Sequence, residues 1–176
     1  EHFASFLRSG ADKVVLGKMA LENVKLIETL ADKFGRQAVL ACLDVIETAG
    51  EYRLRTPDNG RDVRKLDAGF LMQLEAHGVG ELVVQSVSRD GSYTGYNIAL
   101  LNEVARTSSV PIIALGGARR GHHVTDALSI NGVEAAAVGN ALHHSELSYP
   151  QLKRSLVEEF GLGTVRPLSH NILPMH

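Results

Sequence analysis

Five times along this chain a short apolar run stops at a glycine or a charged residue and gives way to apolar residues recurring at helical spacing. The runs are Ala11–Leu16, Ala38–Val45, Leu82–Val87, Val110–Leu115 and Val133–Val138. Continuous apolarity is what a strand covered on both faces needs. The stretches between supply the covers. Val24, Ile27, Leu30 and Phe34 share one face of a helix predicted over Ala20–Phe34 and closed by Gly35. Phe70, Leu71 and Leu74 do the same over Ala68–His77, and Ile98, Leu101 and Val104 follow the third run. Val124, Ala127 and Leu128 follow the fourth, and Leu152, Leu156 and Phe160 mark a last helix over Pro150–Phe160. Residues 51–56, EYRLRT, alternate between AG and PDNG and predict a small hairpin laid over the strand ends. Short strand–loop–helix units without a domain break predict a parallel sheet covered by helices.

Two architectures use such units. A (β/α)8 barrel needs eight of them and about 250 residues, so a chain of 176 residues with five units falls short by about three. A five-stranded open sheet of the flavodoxin type is the other. The sequence starts at Glu1 inside what reads as a helix, HFASFLRSG, which leads us to expect an N-terminally truncated piece of an α/β barrel. Residues 1–166 would form the partial barrel and residues 167–176, proline-flanked, a C-terminal tail. A formal net charge of -2 provides no basic field for nucleic acid or an anionic membrane. No apolar run nears the ~18 residues of a membrane span. Cys42, the single cysteine, rules out an internal disulfide and fits a cytoplasmic protein.

Candidate chemistry lies where the strands end. Residues 80–97, GELVVQSVSRDGSYTGYN, run a buried strand into a loop with Arg89, Asp90 and the turn-forming Gly91 and Gly95. Asp44 ends the second run and shares a face with Cys42 and Leu40. At the carboxyl end of a barrel strand a carboxylate can serve as general acid or base, while in an ordinary connection it caps the next turn. Gly116-Gly117 and Gly139-Asn140 follow consecutive strands, where bare backbone N–H groups can cradle phosphate or the glycines can simply make tight turns. His122-His123 and His143-His144 are adjacent pairs, which on a helix point in different directions, so no metal site or cofactor is expected.

ADKV, LACLDV, GVGELVVQSVSRDGSYTGYN, VPIIALGGA and AAAVGNALHHSEL resemble, in order and spacing, the cyclase subunit of imidazole glycerol phosphate synthase. The match runs from about Gly10 to Arg166 and corresponds to units four to eight of that barrel. The sister phosphoribosyl isomerase shares the RDG loop but typically follows it with GP rather than Gly95-Tyr96. The resemblance implies a lyase of histidine biosynthesis. It takes a bis-phosphorylated ribonucleotide, adds ammonia from a partner glutaminase and closes the imidazole ring. It also implies that Asp44 is one of two catalytic aspartates, the other lying on a first strand that this chain lacks. Asp90, Gly91, Gly116, Gly117, Gly139 and Asn140 then fall on the loops for one phosphate, Gly17 and Lys18 on the site for the other, and Gln85 lines the substrate. Lys13 and Glu81 match a ring of charges around the mouth of the family's ammonia channel, and Asp12 an acid facing the glutaminase.

Five positions at four sites depart from that pattern. Gln85 stands where a small hydroxyl or amide residue is usual, Ser88 where Asp is common, Leu115 in place of a phosphate-holding Ser, and Gly17-Lys18 in place of Asn-Thr. Such changes suit a cyclase-like paralogue that channels ammonia for the amidation of surface-polysaccharide sugars. The phosphoribosyl isomerase, which needs no ammonia, is the further alternative.

Overall fold

A computed structural model of the chain describes residues 2–56, 58, 62–142 and 148–161. Seven strands form one sheet: β1 (Val14–Leu16), β2 (Val39–Thr48), β3 (Glu51–Arg55), β4 (Asp62–Lys65), β5 (Glu81–Ser86), β6 (Ile112–Leu115) and β7 (Val133–Ala137). The helices are α1 (His2–Arg8), α2 (Lys18–Glu22), α3 (Val24–Phe34), α4 (Ala68–Ala76), α5 (Ile98–Ala105), α6 (Gly121–Leu128) and α7 (Ser148–Phe160).

The parallel strands lie side by side in chain order, β1-β2-β5-β6-β7. A flavodoxin-like sheet changes direction at a switch point. No such reversal occurs among the described strands, and this sequential winding is that of a (β/α)8 barrel wall. The described residues form an arc of that wall without closing it.

The helix-covered face of the arc is the more uniformly buried one. Val39, Ala41, Leu43 and Val45 of β2 are at most 1% exposed, packed with Ile27 of α3, Phe70 and Leu74 of α4 and the Leu100–Leu101 pair of α5. Each of the larger side chains contributes about 1.5–3 kcal/mol by leaving water, so the core lies between sheet and helices. The concave face is unevenly covered: Leu40 and Val83 are 3% and 7% exposed, while Val15, paired with Leu40, is 51% exposed.

Local signals set the helix starts. Asp67 accepts from Phe70 N–H at 2.8 Å to begin α4, and Asn97 from Leu100 N–H at 3.1 Å to begin α5. The single helix predicted over Ala20–Phe34 is instead two. Asn23 leaves helical geometry (φ -144°), and its Oδ1 accepts from Leu26 N–H at 3.2 Å, so a new helix starts at Val24. The second strand also overruns its predicted end. β2 pairs with β5 only as far as Val45, then continues antiparallel to β3 through Thr48. Ala49 and Gly50 turn it back, both with positive φ, as in a type I′ hairpin. The hairpin is therefore a β2–β3–β4 meander in the plane of the sheet. Residues 162–176, which include the predicted tail, lie outside the described residues.

Candidate active site

Strand register arranges the concave face in layers. Asp44, Gln85, Leu115 and Ala137 pair successively across β2, β5, β6 and β7 and form the layer at the carboxyl end. Beneath it lie Cys42, Val83, Ile113 and Ala135, and beneath those Leu40 and Glu81. Asp44 thus stands one residue before the end of the parallel part of its strand, which itself runs on to Thr48. It is half-buried, and burial raises its carboxyl above the usual carboxylate range, opposed in part by Cys42. The Cys42 Sγ–H donates to Asp44 Oδ1 at 3.6 Å. Burial first, and the Asp44 charge second, push that thiol up to about 12, so it stays protonated and unreactive at neutral pH.

The loop after β5 is tied down at many points. The amides of Arg89 and Asp90 both donate to the Ser86 carbonyl at 3.1 Å, and Arg89 Nη1 donates to Thr94 Oγ1 at 3.3 Å. Gln85 Nε2 donates to Asp90 Oδ2 at 3.3 Å. Tyr96 is buried and reaches past β6, where its hydroxyl donates to the Ala137 carbonyl at 2.9 Å at the end of β7. Burial raises its pKa, keeping the phenol a donor. Gly95 N–H donates to the Gly117 carbonyl at 2.9 Å.

These loops enclose a cleft of about 190 Å³. Asp90 and Gly91, Gly116 and Gly117, and Gly139 and Asn140 all line it, with Tyr93, Leu115, Ala118 and Ala137. The three loop pairs singled out in the sequence therefore meet at one place. Among the described residues, the amides of Gly117, Ala118 and Asn140 donate no backbone hydrogen bond. A Cβ on Gly117 would stand 2.3 Å from the Gly95 carbonyl oxygen, at a φ of +101°. That glycine is required by the protein's own packing. A Cβ on Gly139 would meet nothing within 4 Å, and its φ is not positive. Packing does not require that glycine, although it lines the cleft.

Gly17 and Lys18 lie elsewhere, past the end of β1. Lys18 Nζ meets Asp58 Oδ2 at 2.6 Å and Glu22 Oε1 at 3.5 Å, and Asp58 chiefly raises its pKa. Lys13 and Glu81 form an ion pair at the amino-terminal end of the sheet, with Asp12 exposed beside them. Glu81 and Gln85 are four residues apart on β5, roughly 13 Å along the strand. The rings of His122 and His123 touch edge to face, 4.4 Å between centroids, rather than pointing apart. Residues 143–147, which hold the second histidine pair, lie outside the described residues. No cluster of three metal-ligating side chains occurs among the described residues. No described helix is long and apolar enough to cross a membrane. Sequence reasoning missed Tyr93 as a cleft residue and Tyr96 as the bridge to β7. Only the GY step hinted at Tyr96, and nothing in it names a carbonyl one strand beyond β6.

The family described as "Histidine biosynthesis protein" matches residues 1–148. An imidazole glycerol phosphate synthase subunit HisF of Exiguobacterium is 36% identical over 153 residues, 87% of this chain and 59% of the relative. The HisF subunit of Myxococcus xanthus is 38% identical over 157 residues, 89% of this chain and 61% of the relative. A putative subunit hisF2 of Vibrio vulnificus is 35% identical over 150 residues, 84% and 54% of the two chains. The chain spans about three-fifths of the length of the curated relatives it matches. With its sequentially wound parallel sheet, it belongs to the histidine biosynthesis protein family, in the line of the imidazole glycerol phosphate synthase cyclase subunits.

Proposed function

We propose that this chain forms the larger part of a cyclase subunit that closes an imidazole ring on a bis-phosphorylated ribonucleotide, with ammonia supplied by a glutaminase partner. The observation that carries the reading is the top layer of the sheet. An acid of raised pKa, Asp44, stands two strand spacings, roughly 10 Å, from Leu115 at the anion cleft. A phosphate held in the cleft by the Gly117, Ala118 and Asn140 amides leaves the rest of its molecule lying toward Asp44. Asp44 then acts as general acid or base on the closing ring. Asp90 serves through its loop, because a carboxylate turned on a phosphate would repel it. Lys18, past β1 and three strand spacings or about 14 Å from β6, takes the second phosphate once that dianion displaces Asp58 and Glu22.

The layer below accounts for ammonia. Cys42, Val83, Ile113 and Ala135 set an apolar step between the Lys13–Glu81 pair and Asp44. Neutral ammonia crosses such a step more readily than ammonium, whose charge is costly to desolvate. The ion pair at the far mouth then gates entry. Glu81→Ala should lower the glutamine-driven reaction of the full complex about tenfold and spare the reaction driven by added ammonium salts. An exposed ion pair contributes under ~1 kcal/mol, so the melting temperature should barely move. An equal fall in both reactions would refute the channel.

One further reading keeps support. Lys18 is engaged by two carboxylates, and the cleft presents the apolar Leu115. Both suit a paralogue that conducts ammonia on this scaffold toward a different phosphorylated acceptor, such as a surface-polysaccharide sugar.

A further inference from the structure

We propose that His123 is a positioning residue for the anion cleft, a neutral acceptor that fixes the Gly116–Ala118 loop from behind. The inference rests on the phosphate reading of the cleft. Arg119 N–H donates to His123 Nδ1 at 3.2 Å, so that nitrogen holds a lone pair and the ring proton sits on Nε2. The ring edge lies against Gly95, where a Cβ would stand 3.3 Å from His123 Cδ2. Gly95 in turn donates its N–H to the Gly117 carbonyl at 2.9 Å. The contacts close a circuit: His123 holds the backbone at Arg119 on one side and abuts Gly95 on the other, and Gly95 grips Gly117 between them. Gly117 and Ala118, which line the cleft, lie inside that circuit.

The surroundings keep the ring neutral. Burial lowers the pKa of His123 below the usual value, and His122 and Arg120 lower it further. Only Asp126 among its charged neighbours opposes them. His123 lines a second cleft, separate from the anion cleft, which Arg89 also lines from the β5–α5 loop, and the Arg119 guanidinium lies over Tyr93, 5.3 Å from the ring centroid. From α7 the uncharged Ser155 packs against Gly121 at the start of α6. His123 also occupies the first turn of α6, where the helix dipole disfavours a cation and where Arg120 supplies no side-chain cap. Protonation of Nδ1 removes the acceptor and pits N–H against N–H. The stabilisation is thus present above the ordinary histidine pKa and lost as pH falls through the lowered one.

The sign is diagnostic. Protonating an exposed histidine or a carboxylate strengthens anion binding at low pH, whereas loss of the His123 acceptor weakens it. Sulfate, doubly charged throughout this range, serves as the probe. Its affinity is measured from the Gly117, Ala118 and Asn140 amide shifts of the full chain at about pH 8 and about pH 5. Wild type should bind about tenfold more weakly at the lower pH. His123→Asn, which keeps an oxygen near the Nδ1 position, should bind as wild type does at the higher pH and lose the pH dependence. His123→Phe, a ring without an acceptor, should bind about tenfold more weakly at the higher pH. If wild type binds and the Phe variant binds equally well, or if the Asn variant keeps the pH dependence, the role of His123 is refuted while the anion cleft stands. If the Phe variant does not fold, the Asn variant and the pH profile decide. If sulfate leaves the wild-type amides unmoved, the cleft reading itself fails and this proposal with it.

Discussion

Asp44→Asn should reduce ring closure driven by ammonium salts by a factor of ~10² to 10⁴ and leave the melting temperature at neutral pH unchanged or higher. The two effects have opposite signs for one physical reason. Burial raises the Asp44 pKa above its unfolded value, so the ionised form is less favourable in the folded chain. The resulting penalty is absent below the unfolded carboxylate pKa and complete above the folded one. At neutral pH the wild type carries it and the amide does not. Asn preserves the shape and can still accept from Cys42, but it cannot carry a proton. A variant with wild-type turnover would remove Asp44 from the chemistry. A clear loss of stability without loss of turnover would mark it as a structural acid.

The second large effect separates two glycines that look alike in the sequence. Gly117→Ala should destabilise the fold by roughly 2 kcal/mol or more, because a left-handed residue gains a Cβ and that Cβ stands 2.3 Å from the Gly95 oxygen. For a chain of this size that is about 4–8 °C in melting temperature. Gly139→Ala should leave the melting temperature within about a degree, since its Cβ meets nothing. Its effect should fall instead on anion affinity, by about tenfold, because Gly139 lines the cleft. Equal behaviour of the two variants would contradict the distinction between a packing glycine and a ligand glycine.

Much of this was legible in the chain because the same evidence repeats. Continuous apolar runs set the five parallel strands, and helical spacing set their covers. Asp44, the RDG loop and the two later glycine pairs were visible because each follows a strand, and parallel strands deliver their carboxyl ends to one edge. Lys13 and Glu81 meet because both stand at strand starts. Less local features stayed hidden. The break before Val24 depends on Asn23 capping from within what reads as a continuous helix. The β2 overrun depends on Ala49 accepting a positive φ, which a residue with a Cβ seldom does. The order of strands, which separates a barrel wall from a flavodoxin-like sheet, is a long-range pairing that apolar periodicity does not encode. The Tyr96–Ala137 bond and the Arg119–His123 bond likewise join atoms whose partners no spacing rule names.

The central claim is that the cleft and Asp44 act on one molecule. A crystal structure of the full protein with imidazole glycerol phosphate, a product of the proposed ring closure, tests it directly. The phosphate should sit on the Gly117, Ala118 and Asn140 amides, with the imidazole ring lying along the Asp44–Gln85–Leu115 layer and a ring nitrogen within hydrogen-bond reach of the Asp44 carboxyl. A phosphate bound elsewhere, or a ring directed away from Asp44, would contradict it.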